Sequence, residues 1–223
     1  MTATRREFLA ASAATLAVAS TAKSYSQIMG ANDRLNFAVI GLHGRAYAHL
    51  SALHANQSAA RITNVCDVDT HTLAKFAAAT KQMMGVAPAA SQDFRRVLEK
   101  KDVDAVTIAT PDHWHTPLAM DALKAGKHVY VEKPCSHNPA EGVMLLEAVR
   151  KYGKQVQMGT QQRSSPHTIE IVGRIHSGEI GRPYYAKAWY VNTRKSIGYG
   201  KPAPVPPQLD WDLWQGPAPR RAY

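Results

Sequence analysis

The chain has 223 residues, 45% of them hydrophobic, and a formal net charge of +10. That is enough apolar material for one full core and part of another. Lys and Arg are scattered, with only a mild excess after Arg194, instead of gathering on one stripe or tail, which argues against a nucleic-acid binder despite the charge.

Residues 1–22 read as a leader, not as fold. Arg5-Arg6 is followed by Phe8-Leu9, then by an Ala-rich apolar stretch with small-residue cleavage candidates at 17–19 and 20–22. This is the pattern of a twin-arginine export signal, too short for a stable membrane span, and it predicts a periplasmic protein. Next, "LNFAVIGL" is a buried strand closed by glycine, and "RAYAHLSALHA" has helical spacing. "ARITNVCDVD" predicts a second strand, "THTLAKFAAAT" and "DFRRVLEKKDV" two helices, and "DAVTIAT" another strand. A helix over "PLAMDALKAGK", a strand over "HVYVEKP", a helix over "AEGVMLLEAVRKYG" and a strand over "QVQMGT" complete the series. Such alternation means βαβ units, hence a doubly wound α/β fold with a parallel sheet over residues 34–159.

The character changes near residue 160. "SSPHTIEIVGRIHSGEIG" predicts one helix, and "RPYYAKAWYVNTR" alternates like a strand of a different sheet. The Pro-rich end carries Trp211 and Trp214 and is expected to pack as an extended arm. Residues 160–223 therefore read as the start of a second domain, cut off at Tyr223. Cys66 and Cys135 each follow an apolar run and read as small buried hydrophobes, and no Cys/His grouping has metal-ligand spacing.

The turn "GLHGRAYAHL" has the makings of a dinucleotide site. Such a turn needs a glycine to leave the strand sharply, a second for close approach of the pyrophosphate, and a third small residue for helix packing. Gly41 and Ala46 fill the first and third roles; His43 stands where the second glycine is expected, with Gly44 and Arg45 next to it. The rival reading is a plain strand–helix turn. Asp67, at the end of the following strand, is the acid that would accept ribose hydroxyls. It favours NAD over NADP, because it would repel a 2′-phosphate, although Arg45 would offset that repulsion. "TPDHWH" and "EKP" leave neighbouring strand ends and should face the same crevice.

Taken together, "AVIGLHGRAYAHL", "CDVD", "TPDHWHTPLAMDALKAGKHVYVEKP" and "GTQQRSSP" resemble the glucose–fructose oxidoreductase / inositol dehydrogenase / MocA family, and most of all its exported bacterial members. The resemblance implies a Rossmann domain followed by an α/β domain with a mostly antiparallel sheet. It implies an NAD(P)-dependent oxidoreductase acting on a sugar-like alcohol, and a homo-oligomer. Lys133 matches the family's catalytic lysine, which contacts the substrate hydroxyl and the nicotinamide of the cofactor; Glu132 and Pro134 complete its motif and shape the nicotinamide pocket, and the peptide before Pro134 is a candidate for the cis form. Thr110, Pro111 and Asp112 match the loop on the cofactor ribose, His115 its usual histidine, and Arg163 an arginine beside the cofactor. Departures are His43 for glycine and Asp112 where asparagine is common. A second acid/base histidine of the family has no match in this chain. Two rivals stand beside the oxidoreductase: an NAD-retaining glycoside hydrolase or lyase of the same family, and a catalytically incomplete cofactor-binding fragment.

Overall fold

The computed structural model describes residues 34–191 and 193–223; the twin-arginine leader lies outside the described residues. Six strands carry the first part: β1 (Leu35–Ile40), β2 (Ala60–Cys66), β3 (Ala89–Ser91), β4 (Ala105–Ile108), β5 (His128–Glu132) and β6 (Val156–Gly159). Between and after them run α1 (Ala46–Ala55), α2 (Thr70–Met84), α3 (Phe94–Leu98), α4 (His115–Lys124), α5 (Pro139–Tyr152) and α6 (Pro166–His176). A short helix, α7 (Trp211–Gln215), lies near the C-terminal end. All strand pairs are parallel, in the order β3-β2-β1-β4-β5-β6. This is the doubly wound Rossmann order, which opens a crevice off the carboxyl ends of β1 and β4, where the winding direction reverses.

Side-chain alternation along β1 splits the core in two. Val39 joins Leu50, Val65 and Phe76 on one face of the sheet, while Ala38 and Ile40 join Val106, Leu118 and Leu123 on the other. Local chemistry sets several of the helix ends. Asp69 caps α2 by accepting from the N–H of His71 at 2.8 Å and Thr72 at 2.9 Å. Asn138 caps α5, with Glu141 reaching back to the N–H of His137 at 2.8 Å. Cys66 is buried and Cys135 half-buried, both as free thiols.

Three elements differ from expectation. The helix predicted over 93–103 lasts one turn and a half, because Lys100, Lys101 and Asp102 offer no apolar side chain to the core. β3, three small residues on the sheet's edge, has no alternation from which to predict it. The strand expected over 182–194 does not form in its described part: residues 182–191 carry no regular element. A strand needs a neighbour for its N–H and C=O groups, and among the described residues none pairs with it.

Candidate functional site

Gly41 leaves β1 with φ +82°, and a Cβ there would stand 2.6 Å from the backbone of Ala109 and Thr110. Only glycine lets the turn pass so close to the end of β4. Ala46 is fully buried, so a small side chain at this position lets α1 pack on the sheet. Among the described residues no non-glycine has positive φ, so His43 sits in relaxed backbone with its ring exposed at the rim of the crevice. Gly44 has open space around it.

The start of α1 fits an anion. Side chains cap α2, α3 and α5, but none caps α1. The N–H groups of His43, Gly44 and Arg45 meet no acceptor among the described residues. Exposed amides at a helix N-terminus are where a pyrophosphate binds.

Asp67 follows β2, beside the turn. Its carboxylate accepts from the N–H of Leu42 at 2.7 Å and of Asp69 at 3.0 Å. A carboxylate has about four lone-pair positions, so capacity remains for ribose hydroxyls. Burial pushes Asp67 above the ordinary aspartate value, and the two backbone bonds only partly hold it down. Asp67, Gly41 and His43 line a cavity of about 270 Å³ together with Thr110, Pro111 and Trp114. The Thr110 hydroxyl has no partner among the described residues. An open turn, an uncapped helix start, an acid at the end of β2 and an orphaned hydroxyl fit the pyrophosphate and adenosine ribose of a nicotinamide dinucleotide.

The second constellation divides into two kinds of residue. Glu132 is buried and accepts from Arg45 Nε at 2.7 Å and His49 Nε2 at 3.0 Å. Burial alone would raise its carboxyl; the bonds from His49 and Arg45 outweigh that and hold it below the usual glutamate range. The Nδ1 of His49 faces no partner, so the tautomer protonated on Nε2 is the one that serves the carboxylate. Arg45 thus points to Glu132, and the cluster ties the glycine turn to the end of β5. His115 is also a tie: Nδ1 meets the Pro134 carbonyl at 2.5 Å and Nε2 the Thr110 carbonyl at 2.8 Å. The one N–H of a neutral imidazole donates to one of these carbonyls, and the other carbonyl stands against the second nitrogen, so neither nitrogen is open to a cofactor.

Lys133, by contrast, is exposed past the end of β5 and makes no side-chain hydrogen bond or ion pair among the described residues. The Lys133–Pro134 peptide is cis. Asp112 lies in the turn Asp112–Trp114 with His137 Nδ1 3.7 Å from its carboxylate. Arg163 is exposed in the turn Gln161–Ser164 that follows β6. Sequence reasoning missed His49, although its spacing of four from Arg45 puts both on one side of α1. It also missed that Leu209, Leu213 and Trp214 reach the cavity.

A model of the Gfo/Idh/MocA family, described as an oxidoreductase family with an NAD-binding Rossmann fold, matches residues 35–160. An inositol 2-dehydrogenase of Rubrobacter xylanophilus is 29% identical over 168 residues, covering 73% of this chain and 46% of the relative. A glycosyl hydrolase family 109 protein of Saccharopolyspora erythraea is 27% identical over 175 residues, covering 77% of this chain and 38% of the relative. The crystal structure of an NAD-binding oxidoreductase from Klebsiella pneumoniae superposes with a TM-score of 0.59 at 29% identity, covering 66% of this chain and 40% of that one. The chain thus spans less than half the length of both curated relatives. With a sheet of this order and a glycine turn of this geometry beneath the match, the chain belongs to the Gfo/Idh/MocA oxidoreductase family.

Proposed function

We propose that the protein is an NAD-dependent oxidoreductase acting on a secondary alcohol of a sugar or sugar-like molecule. The observation that carries this reading is the meeting of Gly41, Asp67 and Thr110 around one cavity at the switch point, next to the uncapped start of α1. Bound NAD would supply the hydride acceptor. The amides of His43 to Arg45 would hold its pyrophosphate, and Asp67 its adenosine ribose. NAD is favoured over NADP because Arg45 is held by Glu132, and Val68, not a cation, follows Asp67. Lys133, exposed and unpaired, would hold the substrate hydroxyl and take its proton as the C–H bond breaks. Export by the twin-arginine route to the periplasm, with Arg5-Arg6 and Phe8-Leu9 as support, and assembly into a homo-oligomer belong to the same reading.

The test titrates NADH and then NADPH by nicotinamide fluorescence, beside His43→Gly, and follows turnover on a panel of sugars. Saturable NADH binding is expected, tighter than that of NADPH. Lys133→Met should lower turnover by about 10²–10⁴-fold with NADH affinity retained. Unchanged turnover would remove Lys133 from the chemistry. Failure of both wild type and His43→Gly to bind either nucleotide would overturn the oxidoreductase reading.

The likeness to a family 109 glycosyl hydrolase favours a second reading. There a sugar carbon is oxidised only transiently, and a glycosidic bond is cleaved with no net redox change. Cleavage of an aryl glycoside without added NAD would select it.

A further inference from the structure

Residues 203–216 do more than trail from the second part of the chain: they lie along the rim of the cavity. The N–H of Thr70 donates to the Gln208 carbonyl and that of Asp210 to the Val68 carbonyl, both at 3.0 Å, and Leu209 bridges antiparallel to Asp69. Trp114 fastens the far end. Its indole N–H donates to the carbonyls of Leu213 at 3.0 Å and Trp214 at 3.1 Å, and His113 Nε2 lies 3.0 Å from the latter. The indole lies so close to Gly216 that any Cβ there would run into it. The Asp210 carboxylate caps the short helix by accepting from the N–H of Leu213 at 2.8 Å.

Direction follows from chemistry. The pyrophosphate belongs at the amides of His43 to Arg45 and the ribose at Asp67, so the base must lie farther out, past Val68 and Asp69. There the cavity wall is formed by Leu209, Leu213 and Trp214 of the arm, facing Phe94 and Trp114 of the sheet domain. A flat purine with two apolar faces suits a slot walled by leucine and indole. The volume of about 270 Å³ is near the low end of small-molecule sites, fitting a base with its ribose and not a whole dinucleotide.

We propose that the arm, through Leu209, Leu213 and Trp214, is the outer wall of the adenosine half-site and sets how long the dinucleotide stays bound. The proposal rests on the reading of the crevice as an NAD site. A base seated behind this wall leaves only when the arm lifts from Trp114 and Val68, so dissociation is slow and the cofactor is carried through many turnovers.

The experiment compares the full chain with Trp214→Ala and Leu209→Ala. Three probes are used: NADH; ADP-ribose, which keeps the adenosine; and reduced nicotinamide mononucleotide, which lacks it. Trp214→Ala should speed NADH dissociation in stopped flow by about tenfold or more and weaken ADP-ribose to a similar degree. Affinity for the mononucleotide should stay within twofold. Leu209→Ala, which leaves the Trp214 ring on Trp211 and His113, should show the same pattern at about threefold, and it carries the test if Trp214→Ala does not fold. NADH dissociation within twofold of wild type in both variants, or an equal loss for the mononucleotide, overturns the arm's role while leaving the NAD site standing. A wild-type chain that binds none of the three probes overturns both.

Discussion

Residues 34–160 and 161–223 make opposite use of apolar side chains. In the first region Val39, Leu50, Phe76 and Val106 are all 0% exposed, drawn from strands and helices that close over one another. In the second, Tyr184 is 97%, Ile197 103% and Tyr199 101% exposed. Helix α6 leaves Ile169 and Ile171 more than half exposed. Both regions have the patterning of ordered structure. The difference is that each element of the first finds its partner within 34–160, whereas α6 leaves its apolar side chains exposed and residues 182–191 form no strand. The arm around α7 is the exception, because it packs on the first region's own crevice and places Leu209, Leu213 and Trp214 there.

The comparison can be broken hardest in the core. Phe76→Ala removes a fully buried ring that meets Tyr47 edge-on at a centroid distance of 5.1 Å, and should cost about 3–5 kcal/mol in urea unfolding. A loss below about 1 kcal/mol would mean that this face of the sheet is not closed. Gly41→Ala comes next. It forces a side chain into positive φ and against the backbone of Ala109 and Thr110, at a cost on the order of 2–4 kcal/mol. The same change should weaken NADH binding, since the turn and the end of β4 must separate to admit the methyl group. A stable variant with wild-type NADH affinity would show that the close approach at Gly41 does not shape the site.

Glu132→Gln should cost less, about 1–2 kcal/mol, because Arg45 is partly solvated and one amide oxygen can still accept from it. Its clearer signature is in pH. The Glu132 carboxyl titrates below its unfolded value, so the folded state binds that proton less readily than the unfolded chain. The stability from this cluster is therefore full above the ordinary glutamate range and is lost as pH falls through the lowered value. Stability measured from pH 7 down to pH 3 should fall less steeply in the variant. Parallel curves would mean that Arg45 and His49 do not hold Glu132 as a carboxylate.

Much of the first region was legible because its signals are local. "AVIG" closed by glycine, the capping Asp69 and Asn138, and the apolar runs of β4 and β5 each state their structure within a few residues. The crevice was legible at one remove, since parallel strands bring all their carboxyl ends to one edge. What sequence could not give were partners distant along the chain. Glu132 reads as a pocket residue by its place in "EKP", yet its bonds run to α1, more than eighty residues away. His115 reads as a cofactor histidine, yet both ring nitrogens are taken by carbonyls of two loops. Trp214 shows a tendency to be buried but not a destination, and only the fold brings its carbonyl to the Trp114 indole N–H and its ring edge-on to His113. The alternation in "RPYYAKAWYV" records a preference for a sheet edge, which is not structure until an edge is there.

The smallest expected effect tests the second region directly. Tyr199 stands clear of every described residue, so Tyr199→Ser removes an aromatic ring without opening a cavity or orphaning a hydrogen bond. Changes of that kind fall within about 0.5 kcal/mol of zero. Urea unfolding of this variant should overlay the wild type in both midpoint and slope. A loss of 1 kcal/mol or more would require the ring to be buried in solution, against the sheet domain or against another copy of the chain. Repeating the measurement at tenfold lower protein concentration separates those two cases. A loss confined to the higher concentration places residue 199 in an interface between copies, because only association depends on mass action. A loss equal at both concentrations places it on the sheet domain, and the contrast between the two regions would then be one of sequence order and not of packing.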